Sequence, residues 1–212
     1  MKKLYTAILT LFLSACGSGN YNDYLHMYDV SHPTTESFIH CYDYGCKTRQ
    51  NISLPDQTKN KLDRLFTPPS RDTDTEQKRI TQAIKIFEDD IGALTGTEND
   101  KRGTFRLYQD DNKKYDRFQQ DCIDESTNTT IYLGLLEQMG HLKFHRPVFP
   151  ANRQPFFSGA PWWHQTAVME DMQTGEKFAV DSWFTDNGNP AFVVPLQEWK
   201  DGWLPPKPAK QD

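Results

Sequence analysis

Between Asp121 and Gly140 the chain carries a start signal, an apolar run and a stop signal for a single helix. Asp121 is a good N-cap, and Asp124 three residues on completes a capping-box-like pair. Ile131, Leu133, Leu135, Leu136 and Met139 then recur until Gly140 ends the run. A start fixed in this way puts Cys122 in the first helical turn. Unpaired amides and the positive end of the helix dipole favour a thiolate there, the nucleophilic form of cysteine.

The next constraint is a hairpin. Trp162 to Met169 and Lys177 to Phe184 are rich in aromatic and β-branched residues, and Asp171-Met-Gln-Thr-Gly175 between them is a turn signal. Register decides what such a hairpin brings together. A loop of even length, such as Met172 to Gly175 with the glycine left-handed, puts His164 and Asp181 on one face of neighbouring strands, whereas an odd loop without a bulge separates them.

A Cys at a helix N-terminus, a His on a strand 42 residues later and an Asp on the next strand 17 residues after that follow in order. This arrangement, from Phe118 to Phe184, resembles the transglutaminase-like branch of the papain-like cysteine enzymes. Asp-Cys-Ile-Asp-Glu-Ser departs from the small-residue pattern that often follows the nucleophile in that superfamily. The resemblance implies Cys122 as nucleophile, His164 as general acid/base and Asp181 as the carboxylate that orients the imidazole. Substrate identity does not carry over.

Physical chemistry sets what those roles require. A neutral thiol is a poor nucleophile, so one ring nitrogen of His164 must reach the Cys122 sulfur while Asp181 holds the other and fixes the tautomer. An oxyanion also needs donors, and the Cys122 amide is one candidate. The side chain of Gln119 or Gln120 is a candidate for the second. Arg146, Arg153, Trp162, Trp163 and Trp183 are candidates to line a substrate cleft, foremost Trp163, which flanks His164, and Trp183, which closely follows Asp181. The bland alternative is a buried cysteine, a satisfied strand histidine and a strand-capping aspartate.

The N-terminus addresses the chain to an envelope. Met1-Lys-Lys is basic, Leu4 to Leu13 is apolar but too short for an ordinary membrane span, and Leu13-Ser-Ala-Cys16 resembles the lipobox of bacterial lipoproteins. The expectation is a signal peptide over residues 1–15, lipidation of Cys16, a polar tether over 16–35 and one domain over 36–212. A plain secretory signal is the alternative. Gly17, with no Asp after the cysteine, points by the same analogy to the outer membrane. Loss of Lys2 and Lys3 takes the net charge from -5 to -7, and there is no basic cluster, which argues against nucleic acid as a partner.

Cys41 and Cys46 remain, five apart around Gly45, and in an oxidising periplasm the economical reading is a disulfide. Only His40 lies near them and no second Cys pair follows, so no metal site is expected. The four residues between them also depart from the two of the usual redox motif. Asp56 to Phe66 and Glu76 to Leu94 read as amphipathic helices, Phe38 to Leu54 is ambiguous, and Thr97 to Asp116 reads as a loop. His141 and His145 have helical ligand spacing, but Gly140 and Pro147 argue against helix there. Phe192-Val-Val reads as one more strand, followed by a packed tail from Trp199 to Trp203. No P-loop or dinucleotide glycine motif is present, so no cofactor is expected.

The expected fold is a single α+β domain of papain/transglutaminase-like type, helices packed on a small antiparallel sheet. The expected activity is acyl transfer on a peptide or protein amide, by hydrolysis or transamidation. Location makes peptidoglycan stem peptides plausible substrates, with the membrane reached through the N-terminal lipid. The alternative is a non-catalytic envelope lipoprotein that uses the fold as a binding or assembly module.

Overall fold

A computed structural model describes residues 19–105, 117–155 and 162–206 of the 212-residue chain. In order the elements are α1 (Tyr21–Met27), β1 (Phe38–Tyr42), β2 (Thr48–Ile52), α2 (Asp56–Leu65), α3 (Thr73–Thr95) and α4 (Cys122–Gln138). They continue with β3 (His145–Arg153), β4 (His164–Asp171), β5 (Lys177–Asp181), β6 (Phe192–Pro195) and α5 (Leu196–Lys200). The α+β class holds. The sheet is a four-stranded antiparallel meander, β3-β4-β5-β6, and β1-β2 is a separate antiparallel hairpin.

Helix α4 starts where the capping signals put it. Asp121 accepts the amides of Ile123 and Asp124, and Asp124 accepts the Asp121 amide in return. From Asp124 to Leu136 every residue is buried, so α4 is the central helix of the domain. Its first half is polar and remains buried because its side chains find partners. Asn128, for example, accepts the Cys41 amide and donates to the Cys41 carbonyl, and Thr127 pairs with the Tyr24 hydroxyl at 2.7 Å. Against α4 lies α3, whose Ile80, Ala83, Ile84, Phe87 and Ile91 are fully buried, with Phe87 stacked on Tyr132 at 4.5 Å. Asp72 caps α3 and left-handed Gly96 ends it.

The turn between β4 and β5 is Met172 to Gly175: the Asp171 amide bonds the Glu176 carbonyl, and Gly175 has φ 74°. Ala167 pairs with Val180, so alternation divides the sheet. Ala167, Met169 and Val180 join the core with α4, whereas Ala179 and Val194 pack on Trp199 of α5. His164 and Asp181 fall on the α5 side of this division, and Gln165 and Ser182 on the α4 side.

One segment differs from expectation, and a second forms an element that the sequence pattern does not assign. The stretch 16–35 was expected to be a tether, but within its described residues α1 buries Tyr21, Tyr24 and Leu25, and the Phe149 amide of β3 bonds Gly19. Tyrosines spaced three apart give this short helix an apolar face that its polar composition conceals. The Pro- and Phe-rich run after His141 contains β3. This strand tolerates Pro147 and Pro150 because it lies at the sheet edge and its register shifts between Val148 and Ala151. The lipobox with Cys16 lies outside the described residues, and no helix among the described residues is long and apolar enough to cross a membrane.

Candidate active site

The hairpin register brings His164 and Asp181 together. Asp181 sits diagonally across from His164 on the same face, and His164 Nε2 lies 2.8 Å from Asp181 Oδ2. A carboxylate only accepts, so Nε2 carries a proton, and in the neutral imidazole Nδ1 presents the lone pair. Nδ1 is buried and has no hydrogen-bond partner among the described residues. The same Asp181 oxygen accepts the Trp199 indole N–H at 2.7 Å. Three aromatic side chains surround the imidazole: Trp183 at 4.6 Å, Phe184 at 5.0 Å and Trp199 at 5.5 Å between ring centroids.

Cys122 reaches the same strand from the first turn of α4. Its sulfur accepts the backbone N–H of Gln165, the residue next to His164, and is close enough to Asp181 to feel its charge. No hydrogen bond joins the thiol to the imidazole: the sulfur is taken up with the Gln165 amide, and His164 Nδ1 has no partner among the described residues. Nor is the thiol acidic: burial pushes it far above its ordinary value, with Asp121, Asp181 and Asp124 adding to the rise. Desolvation together with three carboxylates outweighs the helix N-terminus. Cys122 is 2% exposed, His164 0% and Asp181 2%, so the group is shut off from solvent.

Gln119 and Gln120 have scaffolding partners. Gln119 accepts the Lys101 amide and donates to the Asn99 carbonyl. The Gln120 carboxamide oxygen takes Asn128 Nδ2 at 2.6 Å, and its backbone amide bonds Asp100. These contacts hold the segment entering α4. The Cys122 amide is different: the first amides of a helix have no intrahelical partner, and Asp121 takes those of Ile123, Asp124 and Glu125. Among the described residues, that leaves the Cys122 N–H as the donor of the first turn with no hydrogen bond shown.

Of the two tryptophans placed foremost from sequence, Trp183 lines the neighbouring cleft and Trp163 does not; Trp162 does instead. Successive residues of an extended segment point to opposite sides, so the side of His164 belongs to the residue two before it. The cleft has a volume of about 890 Å³, and Phe105, Phe184 and Phe192 also line it.

Further residues shape the site. Gln165 donates through its side chain to Tyr24 and Ser126 at 2.6 and 2.7 Å, fixing the strand whose amide meets the thiol. Arg153, opposite His164 in register, donates to the carbonyls of Trp199 and Trp203 and lies 4.5 Å over the Trp199 ring. The disulfide between Cys41 and Cys46 closes a loop that caps the helix from outside: Asp124 accepts the amides of Tyr44 and Cys46, and Asp121 accepts that of Gly45. Asp43, Tyr44, Gly45 and Cys46 all have positive φ; the last three turn their amides onto these carboxylates, and the Asp43 amide bonds the Gln119 carbonyl. Beneath α4, buried Asp100 hydrogen-bonds Glu125, which accepts the Ser182 hydroxyl at 2.5 Å. No group of three or more metal-binding side chains comes together among the described residues.

No family model, curated protein or solved structure matches the chain.

Proposed function

We propose that this protein is a cysteine-dependent acyltransferase of papain/transglutaminase-like type, acting on amide bonds at a bacterial cell envelope to which Cys16 anchors it by lipid. The observation that carries the reading is the state of His164: one ring nitrogen is fixed on Asp181 at 2.8 Å, and the other is a buried lone pair without a partner, next to a residue that touches the only cysteine outside the disulfide among the described residues. An unsatisfied buried acceptor costs about 1 to 3 kcal/mol, so its retention favours a task for it.

In this reading the thiol is neutral at rest. Substrate entry displaces the aromatic cover of His164 and turns the Cys122 side chain from the Gln165 amide toward Nδ1. His164 Nδ1 takes the thiol proton as sulfur attacks the amide carbon, and the carbonyl electron pair moves onto oxygen facing the Cys122 N–H. The intermediate collapses with cleavage of the carbon–nitrogen bond, and the imidazolium gives its proton to the departing amine. The remaining thioester is resolved by water or a second amine, which loses a proton to His164 as the carbon–sulfur bond breaks. Asp181 balances the imidazolium through Nε2, and Trp199 keeps the carboxylate in place.

The burial of all three residues favours a second reading, an envelope binding or assembly module in which the His164–Asp181 pair is a structural remnant. One experiment separates the two. The mature protein is treated with a peptide-derived acyl electrophile near neutral pH, and adducts are mapped by mass spectrometry. Selective modification of Cys122 that His164→Ala abolishes supports the enzyme. An unmodified Cys122 in folded protein, with modification only after denaturation, supports the module.

A further inference from the structure

The cleft beside His164 has walls of one kind and a rim of another. Phe105 stands 4.5 Å from Trp183 and 5.9 Å from Trp162, the two indoles are 6.0 Å apart, and Phe184 is 5.1 Å from Trp183. All four pairs meet edge to face at 60° to 77°. A sugar ring stacks flat on an exposed aromatic face, and rings set at these angles form a box instead, which suits an inserted apolar side chain. Trp162, one of these walls, has its indole Nε1 buried without a partner among the described residues.

The rim carries Arg102 and Asp186. Asp186 is occupied: it accepts the Arg102 backbone amide at 3.1 Å and lies 3.8 Å from Lys101 Nζ. The Arg102 guanidinium has no hydrogen-bond or ion-pair partner among the described residues and is exposed. With the local anion already paired, the charge left at the cleft mouth is positive.

Resting on the acyltransferase reading, we propose that this cleft is the specificity subsite of that reaction and takes a peptide with an aromatic or large aliphatic side chain adjoining an acidic residue. The apolar side chain fills the ring box, a peptide carbonyl takes the Trp162 N–H, and the carboxylate meets Arg102, whose planar fork suits it. Because Trp183 and Phe184 form both the cleft wall and the cover of His164, occupancy of the box and exposure of the imidazole are linked through the same two side chains.

The test is binding without turnover. The whole chain carrying Cys122→Ser is titrated by calorimetry with acetyl-Phe-Glu-amide, acetyl-Ala-Glu-amide, acetyl-Phe-Gln-amide and a chitin tetrasaccharide. The Phe-Glu probe is expected to bind about 10-fold more tightly than Ala-Glu, a preference that Trp162→Ala removes. Its advantage over Phe-Gln, expected at roughly 5-fold, should vanish in Arg102→Ala, a surface replacement that leaves the fold intact. Equal binding of the three peptides, discrimination that survives both replacements, or tighter binding of the tetrasaccharide overturns the proposal. Since the nucleophile is absent throughout, selective binding by a protein whose Cys122 proves unreactive would sink the acyltransferase reading and leave the subsite standing. Turnover of amides with no preference among the peptides would do the reverse.

Discussion

The Trp199 indole N–H donates to Asp181 Oδ2 at 2.7 Å, and Trp199 is fully buried. Asp181 is thus held from α5 as well as from the hairpin, and the C-terminal helix takes part in the site although it contributes no reactive group. Trp199→Phe keeps an aromatic ring in place and removes the donor. Stability should fall by about 1 to 3 kcal/mol, the usual range for a buried hydrogen-bond partner removed. Any turnover should fall about 10-fold while thiol labelling at Cys122 persists. An unchanged kcat/KM would show that the indole only fills space.

The helix cap and the disulfide loop should act as one unit. Asp124 Oδ1 accepts the Cys46 amide at 2.6 Å, and Oδ2 accepts those of Tyr44 and Asp121 at 2.8 and 3.1 Å. Asp124→Asn substitutes an amide group for one acceptor among these donors, with an expected loss of about 2 to 3 kcal/mol in denaturant unfolding. Opening the loop with Cys41→Ser and Cys46→Ser should also destabilise. In a double-mutant cycle the two changes should fall short of additivity by about 1 kcal/mol or more. Strict additivity would mean the loop and the helix start are independent.

Local chemistry made much of this fold legible. The Asp121/Asp124 box, the end of α3 at Gly96 and the four-residue turn before Glu176 are all set by neighbouring residues, whereas α3 starts at its Asp72 cap, ahead of Glu76 where the apolar pattern begins it. Prolines hid β3, because a strand may carry them only at an edge, and edge position is a property of the assembled sheet. The same limit applied at the site. The His164–Asp181 contact follows from hairpin register, which short-range pattern expresses, whereas the Trp199, Arg153 and Gln165 contacts depend on how α5, β3 and α1 return to the sheet. Gln119 and Gln120 stand near the cysteine in sequence, and their contacts with Lys101, Asn99, Asp100 and Asn128 depend on how separate segments come together there.

Stability should depend on pH through groups remote from solvent. Burial pushes Asp100 up to about 9 and Glu125 up to about 7, each further raised by neighbouring carboxylates, and Glu88 beside them is also held up by burial. A carboxyl raised in the folded state contributes stability below its ordinary value near 4 and loses it as pH rises through the folded value. His40, bonded to Tyr132 and Thr97, is lowered to about 3 by burial, so it favours unfolding as pH drops below its ordinary 6.5. The melting temperature should therefore be higher near pH 6 than at pH 9, with a slope of about 1.4 kcal/mol per pH unit for each proton retained. Glu125→Gln, a neutral isostere, should flatten the fall between pH 6 and 9. A melting temperature that is level or rises over that range would contradict the assignment.

The last prediction ranks the three residues of the proposed reaction by what each supplies. Cys122→Ala removes the nucleophile and His164→Ala the lone pair that accepts its proton, so each should abolish turnover. Asp181→Asn keeps the shape but offers either a weaker acceptor or an N–H to Nε2. In the second case the imidazole must place its proton on Nδ1, the position needed to receive the thiol proton, and kcat should fall by about 10³ to 10⁴ with a residue of activity remaining. Folding should survive all three to different extents. Replacing the Cys122 thiol by a methyl group should cost within about 1 to 2 kcal/mol. Asp181→Asn should cost more, because it disturbs two buried hydrogen bonds at once, to His164 and to Trp199. Measured side by side, kcat and denaturation midpoints distinguish a reactive triad from a structural one. If Cys122→Ala unfolds the domain while Asp181→Asn leaves every activity assay unchanged, then the sulfur is a packing atom and the binding-module reading replaces the acyltransferase.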